Sequence, residues 1–500
     1  MKSTSASVPE KTPDSMLQTK LLSFFSLKEI AGIDLLANRL VRKYGVDGLS
    51  SRTLLVAYGG GKDSTYTVAF LRAVQLRLAN EHGSTFMLRS ATMRHAGVPK
   101  AVMENIDRVY RRLDMLEDDR VELLVNDLDQ VRPFHVDLPF PESLRSINRR
   151  DILLNGHRTQ GDGRPTFCNA CNLNVANFFG RSAWYGTPVD AVFTGDSAEE
   201  QRTYYAWIMR LARQAGADMR SLRDRGFHGV LKGLNAIGRA YYSEIHGSNE
   251  HEALDRREVA AGDVAHIPEF ISIYDLVHYD LDAHRDLITG FLGFEIDELA
   301  FSFTESDCAN PAVMAHLRGL KAEYVEKRSY EQGVREYVQL GQTLMAKKQI
   351  PQDLQDIVLA RYSTPARIES MRSRMVQFCE EAHRISLEQS ICMVFSPFVG
   401  EGLRLVDWIE TQHPELKANV EDIRDILSGD DDNDLLRPLL ENYSGLPIAN
   451  MRHLWCQPEI SFSKRDTLLA RVREGDPHKA AVDIRDEDGR TVSTTVISGR

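Results

Sequence analysis

The sequence predicts an α/β protein, a Rossmann-like parallel sheet with a mainly α-helical C-terminal domain. Three observations carry this. Short apolar runs alternate with helical patterns between about residues 51 and 310, as parallel strands joined by crossover helices require. The first run, "TLLVAY", stops at a glycine cluster and is followed at once by a helix-like "TYTVAFLRAVQLRLA". Beyond about Asn310 strand signals fade, and amphipathic stretches such as "PAVMAHLRGLKAEYVEKRSYEQGVREYVQL" take over.

The elements follow in chain order. Residues 1–18, "MKSTSASVPEKTPDSMLQ", offer too little apolar surface to order themselves and read as a disordered tail. Residues 19–50 contain an N-terminal helix, centred on "LKEIAGIDLLANRLVRKYG" with its terminal glycine stop. Within the core domain, residues 51–310, "TFMLRSATM" is a second strand, "AVMENIDRVYRRLDML" a second helix and "RVELLVND" a third strand. "CNLNVANFFGRSAWYG" then reads as a helix, "DAVFTG" as a fourth strand and "HIPEFISIYDL" as a fifth, after a helical, charged insertion over residues 203–262. Residues 311–475 form the helical domain, and residues 476–500 a tail or a hairpin turning through "EDGR".

Five hundred residues exceed what one hydrophobic core usually organises, so two domains are expected. No segment gives eighteen uninterrupted apolar residues and the first twenty lack a secretory apolar core, so the expectation is a cytoplasmic protein without a membrane partner. A net charge of -11 disfavours nucleic acid as the main partner, because phosphate neutralisation needs clustered Lys and Arg. Six cysteines are too few for a disulfide framework in a chain of this length and read as buried thiols, ligands or nucleophiles.

The glycine cluster sits where phosphate loops sit. A Walker loop, GxxxxGK followed by Ser or Thr, would need Gly at 56 and a hydroxyl at 63, where the chain has Val56 and Asp63. A dinucleotide GxGxxG fingerprint would end on a glycine at 64, which is Ser64. What remains, GGGKDS, resembles the SGGxDS signature of the PP-loop ATP pyrophosphatases (the HUP, or adenine nucleotide alpha-hydrolase-like, superfamily), with Gly59 in place of the first serine. Gly60 and Gly61 let the backbone approach a pyrophosphate, and the amides opening the next helix add positive potential. Ser64 and Thr65 can donate hydroxyl hydrogen bonds, Lys62 offsets charge, and Asp63 fits beside phosphate when Mg2+ or the helix terminus compensates it. A glycine-rich turn without a ligand is the plain alternative.

The resemblance implies further contacts. The family's GHxxDD-like element after the fourth strand is similar to "TGDSAEEQ", placing Gly195, Asp196, Glu199 and Glu200 near the triphosphate, Glu200 with Asp63 as a Mg2+ ligand. The same acidic residues also suit the first turn of a helix. The family's adenine site maps onto backbone near Val56, Ala57, Tyr58 and Met93.

"PTFCNACNLN" sets Cys168 and Cys171 at a helix start, where thiolates are favoured. Cys308, in "FTESDCANPAVM", belongs at the carboxyl edge of the same sheet. A CxxC and one later cysteine beside an ATP site resemble the cluster-dependent tRNA 2-thiolation enzymes, which implies a 4Fe-4S cluster on Cys168, Cys171 and Cys308 and a catalytic role for these thiols. Zinc held by the same three with His157 or Asp307, or ordinary buried cysteines, are the other readings. Cys379, Cys392 and Cys456 read as core thiols.

Other features are weighed as structural. "DDDNDLLRPLLE" has the carboxylate spacing of a calcium loop but Leu435 where a sharp turn needs glycine. His246, His251 and His266 lie in a charged region without ligand spacing and read as surface residues. Arg145, Arg149, Arg150, Arg158 and Arg164 precede the CxxC and could dock an anionic substrate or RNA backbone, or simply serve solubility.

The resemblance therefore implies an enzyme that binds ATP and Mg2+, adenylates a substrate oxygen, releases pyrophosphate and then admits a nucleophile, catalysis resting on Lys62, Asp63, Cys168, Cys171 and Cys308. Sulfur transfer leads on the cysteine pattern. Amide formation with ammonia or an amine follows, and a regulatory module that binds ATP without turnover is the rival. The expected partners are a small-molecule or carrier-bound acceptor ahead of tRNA, a sulfur or ammonia donor protein, and a second copy of the chain as a homodimer through the helical domain.

Overall fold

A computed structural model describes residues 12–498 apart from 163–165, 168, 196–197, 221–225, 248–253, 260–267, 274–275, 278–283, 296–310, 348–349, 431–434, 462–463, 465, 475–478 and 486–490. Six strands, β1 (Thr53–Ala57), β2 (Met87–Met93), β3 (Val121–Asp127), β4 (Gln130–Pro133), β5 (Ala191–Thr194) and β6 (Glu269–Ser272), form one sheet in the order β4-β3-β2-β1-β5-β6. All pairs are parallel except β3 with β4. The five parallel strands match the apolar runs of the sequence. β4 was not foreseen: its Gln, Arg and Pro carry no apolar alternation, and it adds to the edge through a tight turn in which Leu128 takes φ 55°. An edge position tolerates Pro133, whose nitrogen has no hydrogen to donate.

Period-two alternation decides which layer each strand residue feeds. Leu54 and Val56 belong to one apolar cluster with Tyr66 and Phe70, and Leu55 between them belongs to the other. The first layer holds helices α1 (Pro13–Leu22), α2 (Leu27–Tyr44), α3 (Lys62–His82) and α4 (Lys100–Arg112). On the opposite face lie α5 (Glu142–Arg158), α6 (Asn169–Ala183), α7 (Ala198–Gln214) and α8 (Gly226–His246). α9 (Pro311–Leu320), α10 (Tyr330–Lys347), α11 (Pro365–His383), α12 (Leu387–Phe395) and further short helices to Glu474 extend that second layer. The apolar cluster containing Leu55, Ala91 and Leu124 includes Met393, Trp408 and Ala470, so the C-terminal helices share the core of the sheet's second face. Contact is close: a Cβ on Gly156 in α5 would stand 2.1 Å from Met393 Sδ in α12.

Several local expectations change. α1 opens at Pro13, inside the segment expected to be a tail, because Thr12 Oγ1 accepts from Ser15 N at 3.3 Å and Pro13 occupies the first helical position. Residues 19–50 hold the end of α1, then α2, then a short turn of helix at Val46–Leu49, instead of one helix. Three arginines of α5 act as brackets between helices. Arg145 donates to the Ala382 carbonyl, Arg149 to the carbonyls of Arg384 (2.8 Å) and Gly445 (2.6 Å), and Arg158 to that of Glu244. They satisfy carbonyls at helix ends that have no intrahelical donor. Arg164 lies outside the described residues. The C-terminus forms the hairpin β7 (Lys479–Arg485) and β8 (Thr491–Ser498), its "EDGR" turn lying outside the described residues.

One buried polar group ties the first layer together. Glu29 of α2 accepts from Tyr66 Oη of α3 at 2.5 Å, meets His284 Nε2 at 2.5 Å, and closes a capping box with Ser26 N at 2.8 Å. Burial alone would raise this carboxyl, but the hydrogen bonds from His284, Tyr66 and Ser26 outweigh it and bring the group down to about 2. Its contribution to stability is therefore complete above its ordinary value near 4.5 and drains away as pH falls toward 2. Glu29→Gln should lower the urea midpoint at neutral pH and flatten the loss of stability through that acid window. An acid profile parallel to that of the parent would contradict the assignment.

Candidate functional site

The glycine run lies where β1 turns into α3. β1's last ladder bond passes from Tyr58 N to Ala91 O at 2.8 Å. Gly59 is exposed and a Cβ there would meet nothing within 4 Å, so the serine of the SGGxDS signature would fit. Gly60 turns the chain with φ +75°, a left-handed conformation that costs an L side chain. A Cβ on it would also lie 2.7 Å from Val102 Cγ1 of α4. Gly61 is the N-cap of α3 and, being glycine, brings no side-chain acceptor to the first turn. The α3 N-terminus is therefore uncapped by any side chain of its N-cap residue, with Asp63 in its first turn.

The sheet order puts this loop at a topological switch point. β1 is flanked by β2 on one side and β5 on the other, so the loops after β1 and β5 part over the crevice between them. Gly195 immediately follows β5, and a Cβ on it would stand 3.4 Å from Ser64 N. Two glycine-bearing loops thus meet backbone to backbone.

The other expected residues divide. Lys62 is buried, Asp63 and Ser64 are half-buried, and Ala57 is half-buried at the end of β1. Tyr58 and Thr65 are interior, their hydroxyls 3.0 Å apart. Thr65 Oγ1 also donates to Gly61 O at 2.8 Å, as Ser64 Oγ does at 3.1 Å. The Thr65 hydroxyl, expected to donate to a ligand, is turned inward onto Gly61 O and Tyr58, and burial raises the Tyr58 phenol that braces the turn with it. Asp196 lies outside the described residues, and Glu199 and Glu200 are described only as backbone in the first turn of α7.

Of the cysteines, Cys171 is placed as backbone in the first turn of α6, while Cys168 and Cys308, with Asp307, lie outside the described residues. Cys379 and Cys392 are buried as expected, and burial pushes the Cys379 thiol up to about 12. Cys456 is exposed, just past the helix Ile448–Trp455, and is not a core thiol. His157 is fully buried beside Phe398, and desolvation takes its ring down to about 3. Among the described residues no group of three or more His, Cys, Asp and Glu could hold a metal ion. Nor, among them, is any helix long and apolar enough to cross a membrane.

A cleft opens beside the loop over the ends of β2 and β3, lined by Met93, Arg94, His95, Asn126, Asn148 and Asn174 among others. Its charged wall was not foreseen. Arg94 grips the fully buried Asp127 through two 2.8 Å bonds. Asp151 meets His246 Nε2 at 2.7 Å and pairs with Arg257, whose guanidinium lies 4.0 Å from the Tyr242 ring centre. His246 is thus buried against a carboxylate and is not a surface histidine. His251 and His266 lie outside the described residues. Arg257 and Asp151 are 106 residues apart, and no local signal links them.

No family model, curated protein or solved structure matches the chain.

The loop geometry gives a direct check. Gly60→Ala should cost about 1–3 kcal/mol of stability, through both the positive φ and the Val102 contact. Adding Val102→Ala should recover only the steric part. Thermal melts in which the double variant regains the full midpoint would show that the left-handed turn is not a requirement.

Proposed function

We propose that the chain is an ATP pyrophosphatase of the PP-loop kind, which transfers AMP from ATP to a substrate oxygen and passes the activated substrate to a sulfur nucleophile. The observation that carries this is the meeting of the Gly59–Gly61 turn, the α3 N-terminus and Gly195 at the crevice between β1 and β5. The main-chain amides of this cradle suit the β- and γ-phosphates, and the absence of a side chain at Gly195 leaves them room. Asp63 and Glu200 supply hard oxygen donors of the kind Mg2+ prefers, and the ion would neutralise charge building on the leaving pyrophosphate.

The chemistry balances in two displacements. The substrate oxygen attacks the α-phosphorus, the bond from that phosphorus to the bridging oxygen breaks, and pyrophosphate leaves. A sulfur nucleophile at the sulfide level then displaces AMP, which takes the oxygen with it. Lys62 would steady the triphosphate in the first step. Cys168, Cys171 and Cys308 would serve the second, and their thiolates are the donor set for a 4Fe-4S cluster or Zn2+; a cluster would supply a landing place for sulfide.

Radiolabelled ATP separates the possible outcomes. AMP and pyrophosphate should appear in equal amounts when acceptor is present, and Asp63→Ala should cut the rate by about 100-fold or more while leaving the fold intact. Binding of ATP without any release would identify a sensor, and ADP with phosphate would contradict the adenylation step.

A further inference from the structure

We infer that the cleft beside the glycine loop binds an uncharged ligand with a carboxamide-like edge and discriminates against a carboxylate of the same shape. Its use as the acceptor site rests on the ATP reading above; its selectivity does not. The cleft is shallow and open to one side, with room for about 30 Å³ between its walls. Met93 and Asn126, opposite each other on β2 and β3, form its floor, with Asn148 of α5 and Asn174 of α6 on its walls. Leu128, Phe140, Leu144 and Ile147 supply apolar lining that suits a flat ring.

The charged groups are already committed to each other. Arg94 spends its guanidinium on both Asp127 oxygens and on the carbonyls of Leu138 (2.5 Å) and Pro139 (3.2 Å). Asp151 engages Arg257 and His246. An entering carboxylate would have to break one of these buried pairs and would face Asp151, a like charge.

The uncharged groups are not committed. Among the described residues nothing pairs with Nδ2 of Asn126, itself 1% exposed, nor with His95 Nε2, Asn148 Oδ1 or Asn174 Oδ1. His95 Nδ1 accepts from Gly97 N at 3.1 Å, which puts the proton of the neutral ring on Nε2 and makes that atom a donor. The floor therefore offers donors, from Asn126 and His95, and the helical walls offer acceptors, from Asn148 and Asn174. Buried polar atoms left unpaired are costly, and a ligand that pairs them removes that cost. A carboxamide matches the pattern with its C=O toward the floor and its NH2 toward the helices. All four atoms are buried within side chains that line the cleft, so the amides and the ring must turn toward it to meet a ligand.

Nicotinamide and benzamide, with nicotinate and benzoate as isosteric anions, test this by saturation-transfer NMR on the full chain without nucleotide. The amides should bind, and the acids at least about tenfold more weakly, since a site built for one hydrogen-bonding pattern rejects its mismatch. Asn126→Leu and Asn148→Leu should abolish amide binding while holding or raising the thermal midpoint, because each removes an unpaired buried group. A structural role would do the reverse, lowering the midpoint and sparing affinity. If Asn126→Leu does not fold, Asn148→Ala at its half-buried position carries the test. Equal or tighter binding of the acids, no binding of either amide, or undiminished amide binding in the variants would each overturn the inference. ATP binding is measured separately, so losing one result leaves the other standing.

Discussion

The burial of β1 on both faces is the constraint on which the rest of the molecule depends. A strand covered by helices on each side cannot leave its backbone groups to water, so it must pair on both edges, and it does so with β2 and β5. Those two pairings create the switch point, and the switch point is why a turn of bare backbone after β1 faces Gly195 after β5. Left-handed Gly60 and its contact with Val102 fix the turn against α4. The geometry of the proposed phosphate cradle is thus a by-product of how the core is closed.

The C-terminal helices enter the same logic. Because they share the apolar cluster of the second sheet face, they do more than cap the fold. Through the α5 arginines they fix the helix that forms one wall of the cleft, and Gly156 lets α12 approach it closely. The site therefore has a first half built by the sheet and its loops and a second half whose position depends on chain more than two hundred residues further on. Charge is distributed accordingly: among the residues lining the cleft, Arg94 is closed into a pair with Asp127 and Asp151 with Arg257. Such pairing holds the shape of the cleft while its charges offset one another.

What the sequence disclosed, it disclosed through short-range physics. The five parallel strands were visible as apolar runs, and the β1 turn as glycines that no strand or helix would tolerate in series. What it hid was long-range. β4 has no alternation because an edge strand beside a turn needs none. Arg145 and Arg149 looked like solvent-facing charge because nothing near them in sequence shows that helix-end carbonyls at Ala382 and Arg384 lack donors. His246 looked like a surface residue because its partner Asp151 is 95 positions away. Thr65 carried the right side chain for phosphate, but the helix turned it inward onto Tyr58.

The central claim is that main-chain amides of residues 60–64 hold the tail of a nucleoside triphosphate. A crystal structure with Mg2+ and a non-cleavable ATP analogue tests it most directly. The claim predicts the β- and γ-phosphates against that turn and beside Gly195, with the base over the ends of β1 and β2. An analogue seated elsewhere, or a turn that stays filled by its own side chains at saturating concentration, would contradict it.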